Sequence, residues 1–115
     1  MECLTNAQLE ALREFDTPTI CNAIEGFGVR AKTTGYTDTS LRLRVSMEDK
    51  PMVGYARTGI ISARYPADTR HNEVMRAYYK QYEGFDQPQV AVIQDLDPQP
   101  VGSFWGDVQA TVHRA

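Results

Sequence analysis

Cysteine is scarce in this chain. There are two, Cys3 and Cys21, and they form no CxxC pair. A multi-disulfide framework of the kind that staples small secreted domains is excluded, and the expectation is two free thiols in a reducing cytosol. The opening MECLTNAQLE has an acidic second residue and no apolar segment, so it does not read as a secretory signal. No apolar run approaches the roughly 18 residues of a membrane-spanning helix. Histidine is equally sparse, and His71 and His113 lack the spacing of a zinc site and have no partner visible in the sequence. A basic surplus is also missing. The net charge is −3, which gives a polyanion nothing to follow and excludes nucleic acid as the expected partner. There is no G-x-S-x-G elbow and no Walker phosphate loop. The glycine pair in EGFG at 25–28 follows no strand and does not make a nucleotide fingerprint. Internal repeats and an interdomain linker are lacking as well.

What remains is an ordinary globular composition. At 115 residues the chain has room for one domain, spanning 1–115, that buries roughly 65% of its unfolded surface. With 42% hydrophobic and 23% charged residues, low-complexity disorder is not expected. A helix is predicted from Thr5 to Phe15, where Thr5 and Gln8 match a capping box and Leu9 and Leu12 give an apolar side behind Leu4. A second begins in DTPTICNAIEGFG, with Thr17 as N-cap, Pro18 at the first helical position, and Ile20, Ala23 and Ile24 as the buried stripe. Cys21 lies on that stripe and reads as packing rather than as a nucleophile. Gly26 and Gly28 end the helix.

LRLRVSM at 41–47 alternates apolar and polar residues, as a strand exposed on one face does. Its Arg42 and Arg44 read as that exposed face rather than as a phosphate site. MVGYARTGIISARY at 52–65 reads as a longer, more buried strand, with Gly54 and Gly59 marking a bulge or a close backbone contact. A third helix covers about Thr69 to Tyr82, capped by Asp68 or Thr69, with Met75, Tyr78, Tyr79 and Tyr82 on one side as core or interface and Gly84 as the stop. PQVAVIQDL at 88–96 is a continuous apolar run that fits a central strand covered on both faces. The final GSFWGDVQATVHRA opens a helix that Ser103 caps, with Asp107 in the first turn and Val108, Thr111, Val112 and Ala115 at helical spacing. Strand, helix, strand, loop and helix make an α/β unit.

Chemistry is expected where the VAVIQDL strand ends and the last helix begins. In α/β sheets ligands gather beyond the carboxyl ends of strands. A helix start offers free N–H groups and a partial positive charge, which favour a carboxylate or phosphate. The amides of Gly106, Asp107, Val108 and Gln109 are the candidates, and Gly106 lets an anion approach closely. Asp107 either holds a divalent cation or its water, or only complements the helix dipole; Gly106 equally allows mere close packing. Asp95 and Asp97 either pair on a metal or form a turn, and Trp105 either lines a pocket or fills a core gap.

Taken together, DTPTICNAIEGFG, MVGYART and PQVAVIQDLDPQPVGSFWGDVQATV, in this order and spacing, resemble the family of the regulator of ribonuclease E activity A. That family also contains 4-hydroxy-4-methyl-2-oxoglutarate aldolases and oxaloacetate decarboxylases. Many members carry the label demethylmenaquinone methyltransferase, which no glycine-rich S-adenosylmethionine motif in this sequence supports. The resemblance covers nearly the whole chain. It implies a swivelling β/β/α fold, assembled as homotrimers or dimers of trimers with active sites between subunits. It implies a lyase in which a divalent cation, magnesium or manganese, holds pyruvate or its enolate as a 2-oxo acid is cleaved. The family site is Gly-Asp or Gly-Glu at a helix start, followed further along by Arg-Asp. Gly106-Asp107 matches the first part. The resemblance gives Asp107 a place in the metal's outer shell, through water, and gives the amides around Val108 and Gln109 the substrate carboxylate.

No Arg-Asp pair occurs between Asp107 and Ala115. The expectation is therefore the N-terminal part of a longer cytoplasmic enzyme, truncated before its last strands, with an open, apolar sheet edge and no aldolase activity of its own. Two other roles stay open: a non-catalytic regulator that contacts a ribonuclease or helicase, and an inactive remnant.

Overall fold

The computed structural model describes residues 3–46 and 50–114 and divides into two units, 1–53 and 54–115. The described residues form a small mixed α/β chain of four helices and a two-stranded parallel sheet. No helix among them is long and apolar enough to cross a membrane.

The first unit holds two helices. Helix α1 spans Asn6–Leu12, and its start is the expected capping box: the Gln8 amide donates to Thr5 Oγ1 at 3.3 Å and the Thr5 amide to Gln8 Oε1 at 2.8 Å. These bonds satisfy two amides that the helix cannot pair internally. Leu9 is buried beneath them, at 4% exposure. Helix α2 spans Thr17–Gly26. Its N-cap is Asp16 rather than Thr17: Asp16 Oδ1 accepts the Thr19 amide at 2.8 Å, because a carboxylate is a charged acceptor at the positive end of the helix. Pro18 accordingly falls at the second helical position. Ile20, Cys21 and Ile24 are half-buried, whereas Ala23 is exposed, contrary to the stripe read from the sequence. Gly28 closes the helix with φ +63°, and its N–H donates a hydrogen bond to the Glu25 carbonyl at 3.1 Å. Lys50 pairs with Glu14, and Arg13 Nε donates to the Pro51 carbonyl at 3.3 Å, so the segment at 50–51 is tied to the end of α1.

The strand expected at 41–47 is not formed over its described residues, 41–46, and Met47 lies outside them. Leu41, Leu43 and Val45 are 72%, 82% and 73% exposed. Alternation marks a strand only when a neighbour accepts its backbone bonds, and no described strand pairs with this segment.

The second unit runs β1 (Tyr55–Ile61), α3 (His71–Lys80), β2 (Gln89–Asp95), α4 (Asp107–Arg114). The strands are parallel, in register from Tyr55 opposite Gln89 to Ile61 opposite Asp95, and α3 lies in the crossover that parallel pairing requires. β1 is shorter than the expected 52–65 and alternates between half-buried and exposed residues rather than lying deep. Both glycines act as close-contact points. A Cβ on Gly54 would sit 2.8 Å from the Pro88 carbonyl oxygen, and one on Gly59 would meet Ile93 at 3.0 Å and the Tyr78 ring at 3.1 Å. β2 is not the central, doubly covered strand that its apolar run suggested. It pairs with β1 alone among the described residues, and Val92 is 49% exposed.

Helix α3 is shorter than the expected 69–82, and its N-cap position, Arg70, makes no side-chain cap bond. Asp68 acts one turn earlier, accepting the Arg70 amide at 2.8 Å and its guanidinium at 3.1 Å. These bonds hold the Asp68 carboxyl below the usual carboxylate range. The aromatic stripe is confirmed: Met75, Tyr78, Tyr79 and Tyr82 are all half-buried, and Gly84 turns the chain with φ +67°.

Candidate functional site

Helix α4 begins at Asp107, placed in the first turn as expected. Ser103 does not cap it; its hydroxyl donates instead to the Trp105 carbonyl at 2.9 Å, since the serine lies a full turn ahead of the helix. The first backbone bond of the helix runs from the Ala110 amide to the Gly106 carbonyl at 2.9 Å. The amides of Asp107, Val108 and Gln109 therefore lie ahead of the ladder and, among the described residues, meet no acceptor. A Cβ on Gly106 would meet nothing within 4 Å, so close packing does not explain that glycine here. Asp107 is exposed and Val108 is 67% exposed. The structure thus gathers the four predicted residues at one accessible helix start, preceded by a parallel strand and its loop.

The inward side of α4 differs from the apolar stripe read in the sequence. Val108, Thr111 and Val112 are exposed, and Ala115 lies outside the described residues; Gln109 and His113 are the half-buried pair. Gln109 Oε1 accepts the Tyr79 hydroxyl at 2.9 Å. His113, which had no partner legible in the sequence, is bonded on both ring nitrogens. Nδ1 lies 2.7 Å from the Gln109 carbonyl and Nε2 lies 2.7 Å from the Tyr78 hydroxyl. A carbonyl only accepts, so Nδ1 carries a proton, and in the Nδ1–H tautomer Nε2 accepts from the Tyr78 hydroxyl. Tyr82, 2.9 Å from Tyr78, completes the chain of bonds. Burial first, then the bond to Tyr82, pushes the Tyr78 phenol above its ordinary value, which keeps it a donor. Edge-on contacts with Tyr78, Tyr79 and Tyr82, and a tilted one with Trp105, complete the setting of the imidazole. The i, i+4 spacing of Gln109 and His113 was the available signal, and it became meaningful only once the tyrosines of α3 were known to face it.

These bonds anchor the helix that carries the candidate amides. His113→Ala is expected to free α4 from α3 at a cost of about 1–3 kcal/mol, read as faster amide exchange across 110–114 with β1 and β2 unchanged. Equal exchange in the two proteins would show that the histidine does not hold the helix.

Trp105 lines a cleft of about 700 Å³ together with Tyr79, Tyr82, Phe85 and His113. This cleft reaches Gln89 at the amino end of β2, so it lies away from the carboxyl ends of the strands. Gly106, Asp107, Val108 and Gln109 do not line it.

At the carboxyl ends themselves, Asp97 acts as a clasp. It is buried, at 9% exposure; its Oδ1 accepts the Ser62 hydroxyl and its Oδ2 accepts the Ala63 amide at 2.8 Å. Asp95 Oδ1 accepts the Asp97 amide at 2.9 Å, the turn-forming alternative for this pair. The Ser62 bond, with further help from the Ala63 amide and Arg64, holds the Asp97 carboxyl below its ordinary range. A second cleft, of about 280 Å³, opens beside it and is lined by Arg64, Asp97, Pro98, Gln99 and Val101.

No protein-family model, curated protein or solved structure matches the chain. The described residues contain no group of three His, Cys, Asp or Glu placed to hold a metal ion, and Asp107 is a single exposed carboxylate. They do not by themselves complete a site for the divalent cation that the sequence resemblance implies. What they do offer is hydrogen-bond donation to an anion.

Proposed function

We propose that this chain carries the carboxylate-binding half of a lyase site of the type found in aldolases and oxaloacetate decarboxylases related to the regulator of ribonuclease E activity A. The observation that carries this reading is the trio of acceptor-free amides at Asp107, Val108 and Gln109. They stand at the start of a helix that follows a parallel strand, behind a glycine with open space at its Cβ. Such a helix start favours a carboxylate through aligned N–H groups and the positive end of the helix dipole. The substrate class is a 2-oxo acid such as 4-hydroxy-4-methyl-2-oxoglutarate or oxaloacetate, with pyruvate as product. In this reading the βαβα unit belongs to a swivelling β/β/α domain that assembles as trimers or dimers of trimers. Asp107 stands in the outer shell of a magnesium or manganese ion whose direct ligands the described residues do not supply.

Pyruvate titrated into the labelled protein is expected to shift the amide resonances of 107–110 selectively, and Gly106→Val, which fills the open approach, is expected to remove the shift. Unmoved resonances at 107–110 would overturn the reading. Release of pyruvate by the chain alone is expected to stay at background with magnesium present, because an enolate needs a cationic partner that these residues lack. Magnesium-dependent release above an Asp107→Ala control would contradict that expectation.

A further inference from the structure

We infer that the cleft of about 700 Å³ walled by the end of α3, the turn after it, the first half of β2 and α4 binds a small organic cation of the quaternary ammonium class. The inference goes beyond the reading above and is independent of it, because none of the residues at 106–109 lines this cleft. Its volume falls within the roughly 300–1,000 Å³ of small-molecule sites. Five ring-bearing side chains line it: Tyr79, Tyr82, Phe85, Trp105 and His113. The His113 ring centre lies 4.8 Å from those of both Tyr82 and Trp105, so these rings form one continuous wall. Ring faces carry the negative end of the aromatic quadrupole and attract a cation, tryptophan most strongly. Trp105 is 45% exposed, so much of that surface is open.

Charge points the same way. Glu83 and Asp86 line the cleft, no lysine or arginine does, and neither carboxylate takes part in an ion pair among the described residues. Arg57 touches the wall without lining it: its guanidinium lies 4.5 Å from the centre of the Phe85 ring, and its Nε donates to Gln89 Oε1. That one cation occupies Phe85 and leaves Tyr79, Tyr82 and Trp105, with two carboxylates, to a ligand. The other polar side chains of the wall are engaged. Tyr79 donates to Gln109, Tyr82 is bonded to Tyr78, and both His113 nitrogens are bonded. Gln89 Nε2 donates to the Tyr82 and Phe85 carbonyls. A primary ammonium has three N–H groups to place on acceptors and would find only the two carboxylates unengaged among these side chains. A quaternary ammonium needs no acceptor, only ring surface and nearby negative charge.

Trp105 is the chain's one tryptophan, so its emission reports on this cleft. The test titrates choline, and its uncharged isostere with carbon in place of the nitrogen, into the protein at constant ionic strength. Choline is expected to change the emission saturably and to shift the amide resonances of 82–86, with the isostere weaker by about tenfold or more. The double substitution Glu83→Gln with Asp86→Asn is expected to weaken choline by about tenfold and to leave the isostere unchanged. Both residues are exposed, so neither substitution threatens folding. No saturable response to choline overturns the inference. Equal affinity for the isostere overturns it as well, since the cleft would then take apolar groups regardless of charge. So does a choline affinity that the double substitution leaves intact.

Discussion

Gly54→Ala is expected to destabilise the protein by about 1–3 kcal/mol, a large effect for adding one methyl group. The new Cβ would meet the Pro88 carbonyl oxygen at 2.8 Å, the Pro88 carbonyl carbon at 3.0 Å and a Val90 methyl at 3.1 Å. Two of these three atoms are backbone and do not swing away. The Pro88 oxygen also accepts the Tyr55 amide at 2.8 Å, the first rung joining β1 to β2. Relief of the clash therefore spreads the strands at the rung that starts their register. Among the described residues the sheet is a single pair of strands, so no further described neighbour holds that register in place. Gly26→Ala is the internal comparison: a Cβ there meets nothing within 4 Å, and alanine is the better helix former. Urea denaturation should move the two midpoints in opposite directions. Equal midpoints for Gly54→Ala and the unaltered protein would show that the strands do not approach so closely.

Asp97→Asn is expected to lower the melting temperature by roughly 5–10 °C at neutral pH. The carboxylate accepts from the Ser62 hydroxyl and the Ala63 amide, joining the loop after β2 to the end of β1. An asparagine has one accepting oxygen, so with that oxygen on the Ala63 amide its nitrogen faces Ser62, and a charge-assisted bond from the hydroxyl is exchanged for a weaker neutral one in which the hydroxyl accepts. The pH dependence has a definite sign. The folded carboxyl is held below its unfolded value of 3.8, with the Ser62 bond as the largest cause. Its contribution is fully present above that value and disappears as the pH falls through the lower, folded one. The gap between the two proteins should be level from about pH 5 to 7 and close in strong acid, below the unfolded value. A gap that persists unchanged at the lowest pH would mean that the charge of Asp97 is not what matters.

Elements whose signals are local were readable in the residues. The capping box of Thr5 and Gln8 is a pattern over four positions, and the geometry of one helical turn suffices to build it. Gly84 announced the stop after α3, and the aromatic stripe of α3 followed from helical spacing. The candidate site was legible to the same extent, because Gly106, Asp107, Val108 and Gln109 are consecutive and a helix start needs only its own amides. Failures arose where a distant partner decides the outcome. The alternating segment at 41–47 has the pattern of a strand but no described neighbour, and β2 has the composition of a central strand without the coverage. Asp16 displaced Thr17 as a cap by being the stronger acceptor one position earlier.

The sequence by itself determined that four helices form, the capping box of α1, the α/β order of the second unit, and the run of amides at the head of α4. Each of these depends on residues within a turn or two of one another, so backbone sterics and local hydrogen bonding are enough. Only the tertiary structure decided that Asp97 clasps β1, that His113 is held between α4 and the tyrosines of α3, and that Trp105 lines one cleft with Glu83 and Asp86. Those partners lie some thirty-five residues apart in the first two cases. They meet because parallel pairing sends the chain through a full crossover before the strand ends come together. No local pattern in the residues records which side chains will be waiting there.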